Sequence, residues 1–455
     1  MTRAGVLAAA ALTAAAVAAP ARASFGPPVQ LAAGSFGIGV AADTDAAGST
    51  TAIVSGYGRG PRLLERPAGG AWSAATPLPG NPAGMAGPVV DAAGSGALGI
   101  AWRVDKPRAY SGIAVAMRDP GGALSEPIEI AGEDAGGVRH PALAIDQAGD
   151  ALLAYNTATN EVHLNMRGAI AIAIAHRNSG HSFSAPTVVD RTPSSAPTVA
   201  LARDGTGVVA WTHDRRVYAV SVDAGANIGK VKRIASPDGV VGLVAAAGED
   251  GAATLAWVDH RAGGTASSPR TRYFVRALSR TAGHAFAATR TVASTSDYVR
   301  GVAVGNDEDG RTTLAWAREH FGDNRSEGKG GVTSAVLATT AQAGRPFPVP
   351  QVVVKRGLRY LTPPGVAAAN GRVVLSWGST ANRRNLAVQA AVGPAGAIGP
   401  PQTVAAKTLK QTTYGPQPLI QEALAPNGVV TVFYVEPTEM PPPAPAFVLN
   451  AADGP

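Results

Sequence analysis

Residues Gly301–Arg318 read GVAVGNDEDGRTTLAWAR. An apolar run enters an Asp-Gly turn, and a second apolar run leaves it and ends in Ala-Trp. Asp-Gly or Asn-Gly between apolar runs is a strong hairpin signal, because both central residues of the tightest turns take positive φ. Aligned on the turn glycine, the unit recurs at Gly48, Gly96, Gly149, Gly205, Gly251, Gly310, Gly371 and Gly428. Six residues beyond each stand Val54, Trp102, Tyr155, Trp211, Trp257, Trp316, Trp377 and Tyr434, aromatic in seven of eight copies. The residue before the ring is Ala101, Ala154, Ala210, Ala256, Ala315 or Ser376 in the middle copies.

The second strand of the unit alternates with period two. Thr312, Leu314 and Trp316 share one face, and Thr313 and Ala315 the other. Both faces are largely apolar in most copies, which predicts a strand buried on both sides. A ring on one face and a methyl on the other suit sheets stacked about 10 Å apart, the Trp of one over the Ala of the next. Each such ring hides roughly 150–250 Å².

A second signature follows each hairpin: a Gly-containing turn, a large apolar residue, often a Pro, then Val or Ile. GGALSEPIEI (Gly121–Ile130), GHSFSAPTVV (Gly180–Val189), GRPFPVPQVV (Gly344–Val353) and GAIGPPQTVA (Gly396–Ala405) show it. Its anchors are Phe25, Trp72, Leu124, Phe183, Ile228, Phe286, Phe347 and Ile398, spaced 45–61 residues apart. Pro is confined to sheet edges, so this is the outermost strand of each unit. The Phe25 copy precedes the first hairpin, and only Ala444–Asn450 follows the last one as a third strand. The N-terminal strand is therefore expected to complete the final sheet and close a ring.

A period near 50 with four strands per unit predicts an all-β fold. It is an eight-bladed β-propeller of four-stranded antiparallel blades, or a seven-bladed one if the Val54 copy merges with a neighbour. The chain resembles the sialidase-like and WD40-like propeller superfamilies, in architecture and over nearly all of its length. It lacks both the sialidase Ser-x-Asp-x-Gly-x-x-Trp box and a series of Trp-Asp dipeptides.

The start of the chain has the grammar of a secretory signal. Arg3 supplies the positive region, Gly5–Val17 the apolar core, and Ala21-Arg22-Ala23 the cleavage site. The expected division is a signal peptide over 1–23 and one propeller domain over 24–455. No Cys follows the leader or occurs anywhere, so neither a lipoprotein anchor nor a disulfide is expected. No later run is long and apolar enough to span a membrane. The Ala-rich, Gly-rich composition suits a secreted bacterial protein. Without Arg3 and Arg22 the chain has 37 basic and 32 acidic residues, a net charge of +5. Its basic residues are scattered, which argues against nucleic acid and leaves attraction to anionic cell-wall polymers or acidic glycans open.

In such a blade, turns inside the inner and outer hairpins lie on one face of the ring, and the remaining loops on the other. The first group is short here. The second includes Asn156–Arg167, Asp259–Thr271, Arg318–Gly331 and Glu436–Pro443, and function is expected on that face. Candidate ligand-binding residues at the strand ends are Asp259, His260, Arg318, Glu319 and His320. A second group precedes the innermost strands: Arg139, His140, Tyr298, Arg300, Tyr360 and Tyr414. Tyr beside Arg is a composition that suits sugars, carboxylates or peptides. His260 and His320 have no metal-ligand spacing, and Asp43–Gly48 reads as a turn rather than a calcium loop, having no bidentate Glu at the twelfth position. No catalytic residue, metal or cofactor is assigned.

The function expected is a secreted, non-catalytic module, monomeric, that binds a glycan, cell-wall polymer or protein. One alternative is a sialidase-like hydrolase or lyase, which needs a carboxylate pair about 5–10 Å apart or a Tyr nucleophile with an acidic partner. The other is a cell-surface structural protein, which needs a contiguous apolar patch.

Overall fold

The structure is a computed structural model. It describes residues 25–34, 39–45, 47–56, 59–79, 85–104, 112–131, 141–158, 170–191, 195–237, 239–248, 251–265, 268–281, 284–321, 332–356, 360–381, 385–408, 420–425, 427–437 and 447–454. The leader proposed for 1–23 lies outside these residues, as do Arg139, His140 and Tyr414.

Eight antiparallel sheets follow one another along the chain and close into a ring, and the described residues include no helix. The innermost strands of blades 1–8 are Gly39–Thr44, Met85–Ala92, Pro141–Ile145, Thr198–Leu201, Val240–Ala247, Tyr298–Asn306, Gly365–Ala369 and Ile420–Leu424. Blade 7 carries an extra short inner strand, Tyr360–Leu361, on the same neighbour as Gly365–Ala369. Blade 8 is completed from the other end of the chain. Val29–Gly34 pairs antiparallel with Phe447–Gly454, which pairs with Val430–Pro437. The seven-bladed alternative is set aside, because the Val54 copy forms its own sheet.

The turn glycines take φ between 70° and 88°. In blade 7 Asn370 (48°) and Gly371 (70°) both go positive, the two-residue turn that the Asn-Gly pair predicts. The other blades use a longer loop. In blade 6 the amide of Gly310 bonds to the Asp307 carbonyl at 3.1 Å, and the amide of Asp307 bonds to the Arg311 carbonyl at 3.0 Å. This is a turn followed by one left-handed glycine. The Asp residues at the start of such loops hold them together, as where Asp307 Oδ1 accepts the Arg311 amide at 2.8 Å.

The blades stack as the alternation predicts. Trp102, Trp211, Trp257, Trp316 and Trp377 are at most 1% exposed. Trp377 of blade 7 packs with Ala315 and Ala317 of blade 6, and Trp257 of blade 5 with Ala210 and Ala219 of blade 4. Val54 leaves blade 1 without a ring in this position. Phe433 of blade 8 and Trp72 of blade 1 fill that junction edge to face, with centroids 5.4 Å apart.

A further tie between blades recurs at the end of the third strand. Arg118 reaches Glu65 of the preceding blade at 2.5 Å, and Arg177 reaches Asp119 at 2.8 Å. Arg66 does the same across the closure, bonding Asp453 at 2.5 Å and Thr431 at 2.7 Å while stacking over Trp72. The sequence repeat did not reveal this tie, because Arg and its acid sit in different copies.

The outermost strands carry the second signature, with its prolines just ahead of them. Pro127, Pro186, Pro350 and Pro401 immediately precede or nearly precede Ile128–Ala131, Thr187–Asp190, Gln351–Arg356 and Gln402–Thr408. Asp259–Thr271, read from the sequence as a loop, is a paired extension of the hairpin Ala253–Thr265 and Ser268–Arg280. Blade 6 is extended likewise, Arg311–Phe321 pairing with Val332–Gln342.

Candidate functional site

Two groups of polar residues stand apart from the repeated packing, one at each face of the ring. The first lines the central channel near the short turns. Two adjoining cavities, about 430 and 360 Å³, share Asp91, Ala92, Gln147, Ala247, Gly248 and Asn306 in their walls. Asp43 of blade 1 accepts the Ala92 amide of blade 2 at 2.7 Å, and Asp91 of blade 2 accepts the Ile145 amide of blade 3 at 2.6 Å. The two carboxyl groups also hydrogen-bond to each other. Burial and then the Asp91 charge push Asp43 well above the usual carboxylate range, and burial pushes Asp91 up to about 6. Glu422 of blade 8 accepts the Ser376 hydroxyl of blade 7. Burial raises it to about 7, with the Ser376 bond pulling the other way. Gly365 makes room for this carboxylate, which a Cβ there would overlap. These acids act chiefly as links between neighbouring blades, Asp43 and Asp91 from one innermost strand to the next and Glu422 from its innermost strand to the second strand of blade 7. Asp43 is thus a strand residue that reaches across to the next blade, and Asp45 is the one that holds the turn, at 2.8 Å from the Ser49 amide.

The second group lies at the opposite face, where the hairpins of blades 5 and 6 extend. Trp316, Leu337 and Ala335 of blade 6 pack with Ala256 and Val258 of blade 5. Continuing with period two, the same face of blade 6 next presents Arg318 and His320. The register sets Arg318 opposite Ala335 and Ala335 opposite Lys355, with His320 opposite Thr333. Together with Asp297, from the connection between blades 5 and 6, these residues line a cavity of about 300 Å³. Asp297 is its hub: Arg318 Nε lies 3.2 Å from Oδ2, and His320 Nδ1 lies 2.8 Å from Oδ1. Asp297 is thereby engaged from both sides. His320 Nε2, the Thr333 hydroxyl and the Lys355 ammonium have no partner among the described residues.

Glu319 lies on the other face of the strand, toward blade 7, and is fully buried. Its Oε1 accepts Arg300 Nε at 2.7 Å and the Leu361 amide at 3.3 Å, and its Oε2 has no partner among the described residues. Arg300 also stands over the Tyr298 ring at 5.8 Å, and Tyr298 meets Tyr273 edge to face at 5.4 Å. His260 packs beside Tyr273 at 6.0 Å. Tyr298, Arg300 and Glu319 therefore form a braced cluster that holds the rim of blades 5–7. Asp259 points the other way along its strand, is 2% exposed, and pairs with Arg276 at 3.4 Å. Beside it Phe274 is flanked by Arg261, Arg272 and Arg276 at 4.7–5.7 Å.

The structure thus brings Tyr298, Arg300, Arg318, Glu319 and His320 to one part of the rim, divided between the two faces of blade 6. Asp259 and His260 belong to the neighbouring blade, and Tyr360 is placed by backbone pairing with Thr380. Asp297, Thr333, Lys355 and Tyr273 were missed by sequence reading. Thr333 and Lys355 become legible only once the register of the third and fourth strands is known. Asp297 had a signal: it directly precedes Tyr298, already marked. Among the described residues, no group of three His, Asp or Glu residues is placed to hold a metal ion.

The sequence matches no protein-family model and no curated protein. Among solved structures it is similar to a lectin from Burkholderia pseudomallei, at 13% identity and a TM-score of 0.49, over 83% of this chain and all of that one. It is also similar to an ulvan lyase bound to a -[GlcA(1-4)Rha3S]- fragment, at 11% identity and a TM-score of 0.48, over 77% of this chain and 91% of that one. A third is an α-L-arabinanase from Penicillium chrysogenum, at 12% identity and a TM-score of 0.38, over 69% and 92% of the two chains. The likeness is one of propeller architecture.

Proposed function

We propose that this chain is an exported, non-catalytic binding module that holds a glycan at the blade 6 cavity. The observation that carries the reading is the cavity itself: spare donors on His320, Thr333 and Lys355 surround one carboxylate, Asp297, that is already engaged. Its volume, about 300 Å³, falls at the low end of small-molecule sites. A concave recess with hydrogen-bonding walls suits a sugar unit better than the surface of a folded protein.

The alternatives lack comparable support. Hydrolysis by paired carboxylates requires a separation of roughly 5–9.5 Å with room for sugar and water. Asp297 is the one carboxylate lining this cavity among the described residues. For a scaffold, the exposed apolar side chains Val29, Ile128, Val188, Val231, Val349 and Val352 are scattered over five blades. Export is proposed from the leader over 1–23, and amino-terminal sequencing of the released protein should begin at Ser24.

The test is a glycan array probed with the wild type, His320→Ala and Thr333→Val. Losing a hydrogen bond to a bound ligand costs roughly 0.5–1.5 kcal/mol, or 1.5–3 if a charge is involved. Each variant should therefore weaken the retained glycan by about 2-fold to 150-fold. Retention of no glycan, or undiminished retention by both variants, would overturn the reading.

A further inference from the structure

We infer that the blade 6 cavity selects sugars carrying an anionic substituent, a carboxylate or a sulfate ester, and seats that group between Arg318 and Lys355. The inference rests on the glycan-binding reading and specifies its ligand class. The row Arg318–Ala335–Lys355 crosses three adjacent strands. Neighbouring strands are about 4.8 Å apart, so the two cationic residues are rooted about 10 Å from each other. Between them stands only the methyl of Ala335, which is 3% exposed. The result is a trough with a small apolar floor and a long cationic side chain on either bank. His320 and Thr333 extend it by one further row.

The charges lining the cavity do not cancel. Asp297 offsets Arg318, to which it is bonded at 3.2 Å. Among the described residues, Lys355 has no carboxylate within 4.0 Å and no acid besides Asp297 lines the cavity. Among the described residues the site therefore keeps one surplus positive charge with its donors unspent. Charge-assisted bonds to a carboxylate or sulfate are roughly twice as strong as neutral ones, so an anionic substituent gains more here than a hydroxyl does.

The experiment uses matched ligands in calorimetric titration against the full-length mature protein. Oligogalacturonate is compared with its methyl ester, and dextran sulfate with dextran; free acetate and sulfate are run as separate competitors. The expected result is that the anionic member of at least one pair binds at least ~10-fold tighter than its neutral partner, about 1.4 kcal/mol. Which pair shows the preference tells carboxylate from sulfate. Lys355→Ala should abolish most of that preference, weakening the anionic member far more than its neutral partner, and Lys355→Arg should restore it, since both side chains carry the charge. Thermal melts of both variants check that the fold is intact. Equal binding of neutral and anionic members, or a preference that survives Lys355→Ala, overturns the inference and leaves glycan binding standing. Free sulfate or acetate competing as tightly as the oligosaccharides reduces the trough to a simple anion site and also overturns it. Failure of all four carbohydrates to bind, with the array empty as well, instead removes the functional reading beneath it.

Discussion

Raising the pH from 5 to 8 should destabilise this ring, and Glu422 allows the size of the effect to be worked out. The side chain is 7% exposed, and burial lifts it from 4.5 to about 7. The folded state therefore holds the proton more tightly than the unfolded chain does. The corresponding stabilisation is fully present below about pH 4.5 and is lost as pH rises through about 7. At about 1.36 kcal/mol per pH unit, a rise of about 2.5 units gives roughly 3 kcal/mol, a substantial part of an ordinary domain's 5–15 kcal/mol. Asp91, raised to about 6, and Asp43, also raised by burial, act in the same direction, and both keep some access to channel water, which reduces their share. Thermal unfolding followed by circular dichroism at closely spaced pH values is the assay. At roughly 2.1 cal/mol/K of unfolding entropy per residue, a chain of 455 residues loses only about 1 °C per kcal/mol, so the midpoint should fall by about 3 °C or more. Glu422→Gln keeps an acceptor for the Ser376 hydroxyl and cannot ionise, so its midpoint should fall less steeply between pH 6 and 8. A wild-type midpoint that is flat or rises from pH 5 to 8 refutes the reasoning, as does a Glu422→Gln profile identical to the wild type.

Trp316→Ala should lower unfolding stability by about 3–5 kcal/mol in urea titration, because the ring is 1% exposed between blades 5 and 6. Gly365→Ala places a methyl against the Glu422 carboxylate; it should cost about 1–3 kcal/mol and shift the pH profile along with the midpoint. Arg66→Ala removes the bonds to Asp453 and Thr431 at the closure. It should speed limited proteolysis within 25–34 more than elsewhere, as mass spectrometry of the fragments would show. Deleting 25–34 uncovers the edge of Phe447–Gly454, and light scattering should then detect association, since an unpaired edge invites strand addition.

The fold was legible because hairpin turns and buried rings repeat at sequence positions that alignment finds. Gly310 and Trp316 mark their blade with no help from the rest of the chain, and the displaced outer strand at Phe25 gave the closure. The site was only half legible. Arg318, Glu319 and His320 stand out as charges after a buried ring, but the direction each side chain takes follows from pairing. Strand alternation sends Glu319 toward blade 7 to meet Arg300 and sends its neighbours toward Asp297. Lys355 belongs to an outer strand whose register includes an irregularity at Val336/Leu337, so no count along the sequence would set it beside Ala335. The channel acids were hidden for a different reason. Asp43 sits next to a turn, where an acid is ordinary, and its partner amide belongs to the next blade.

The most direct test of the functional account is hydrogen exchange measured by mass spectrometry, with and without a saturating oligosaccharide retained on the array. Protection should concentrate in peptides covering 297–300, 317–321, 332–336 and 353–356, which form or adjoin the blade 6 trough. Protection confined to 42–49, 90–97 and 420–425, at the short-turn end of the channel, would contradict it and move the ligand to the opposite face.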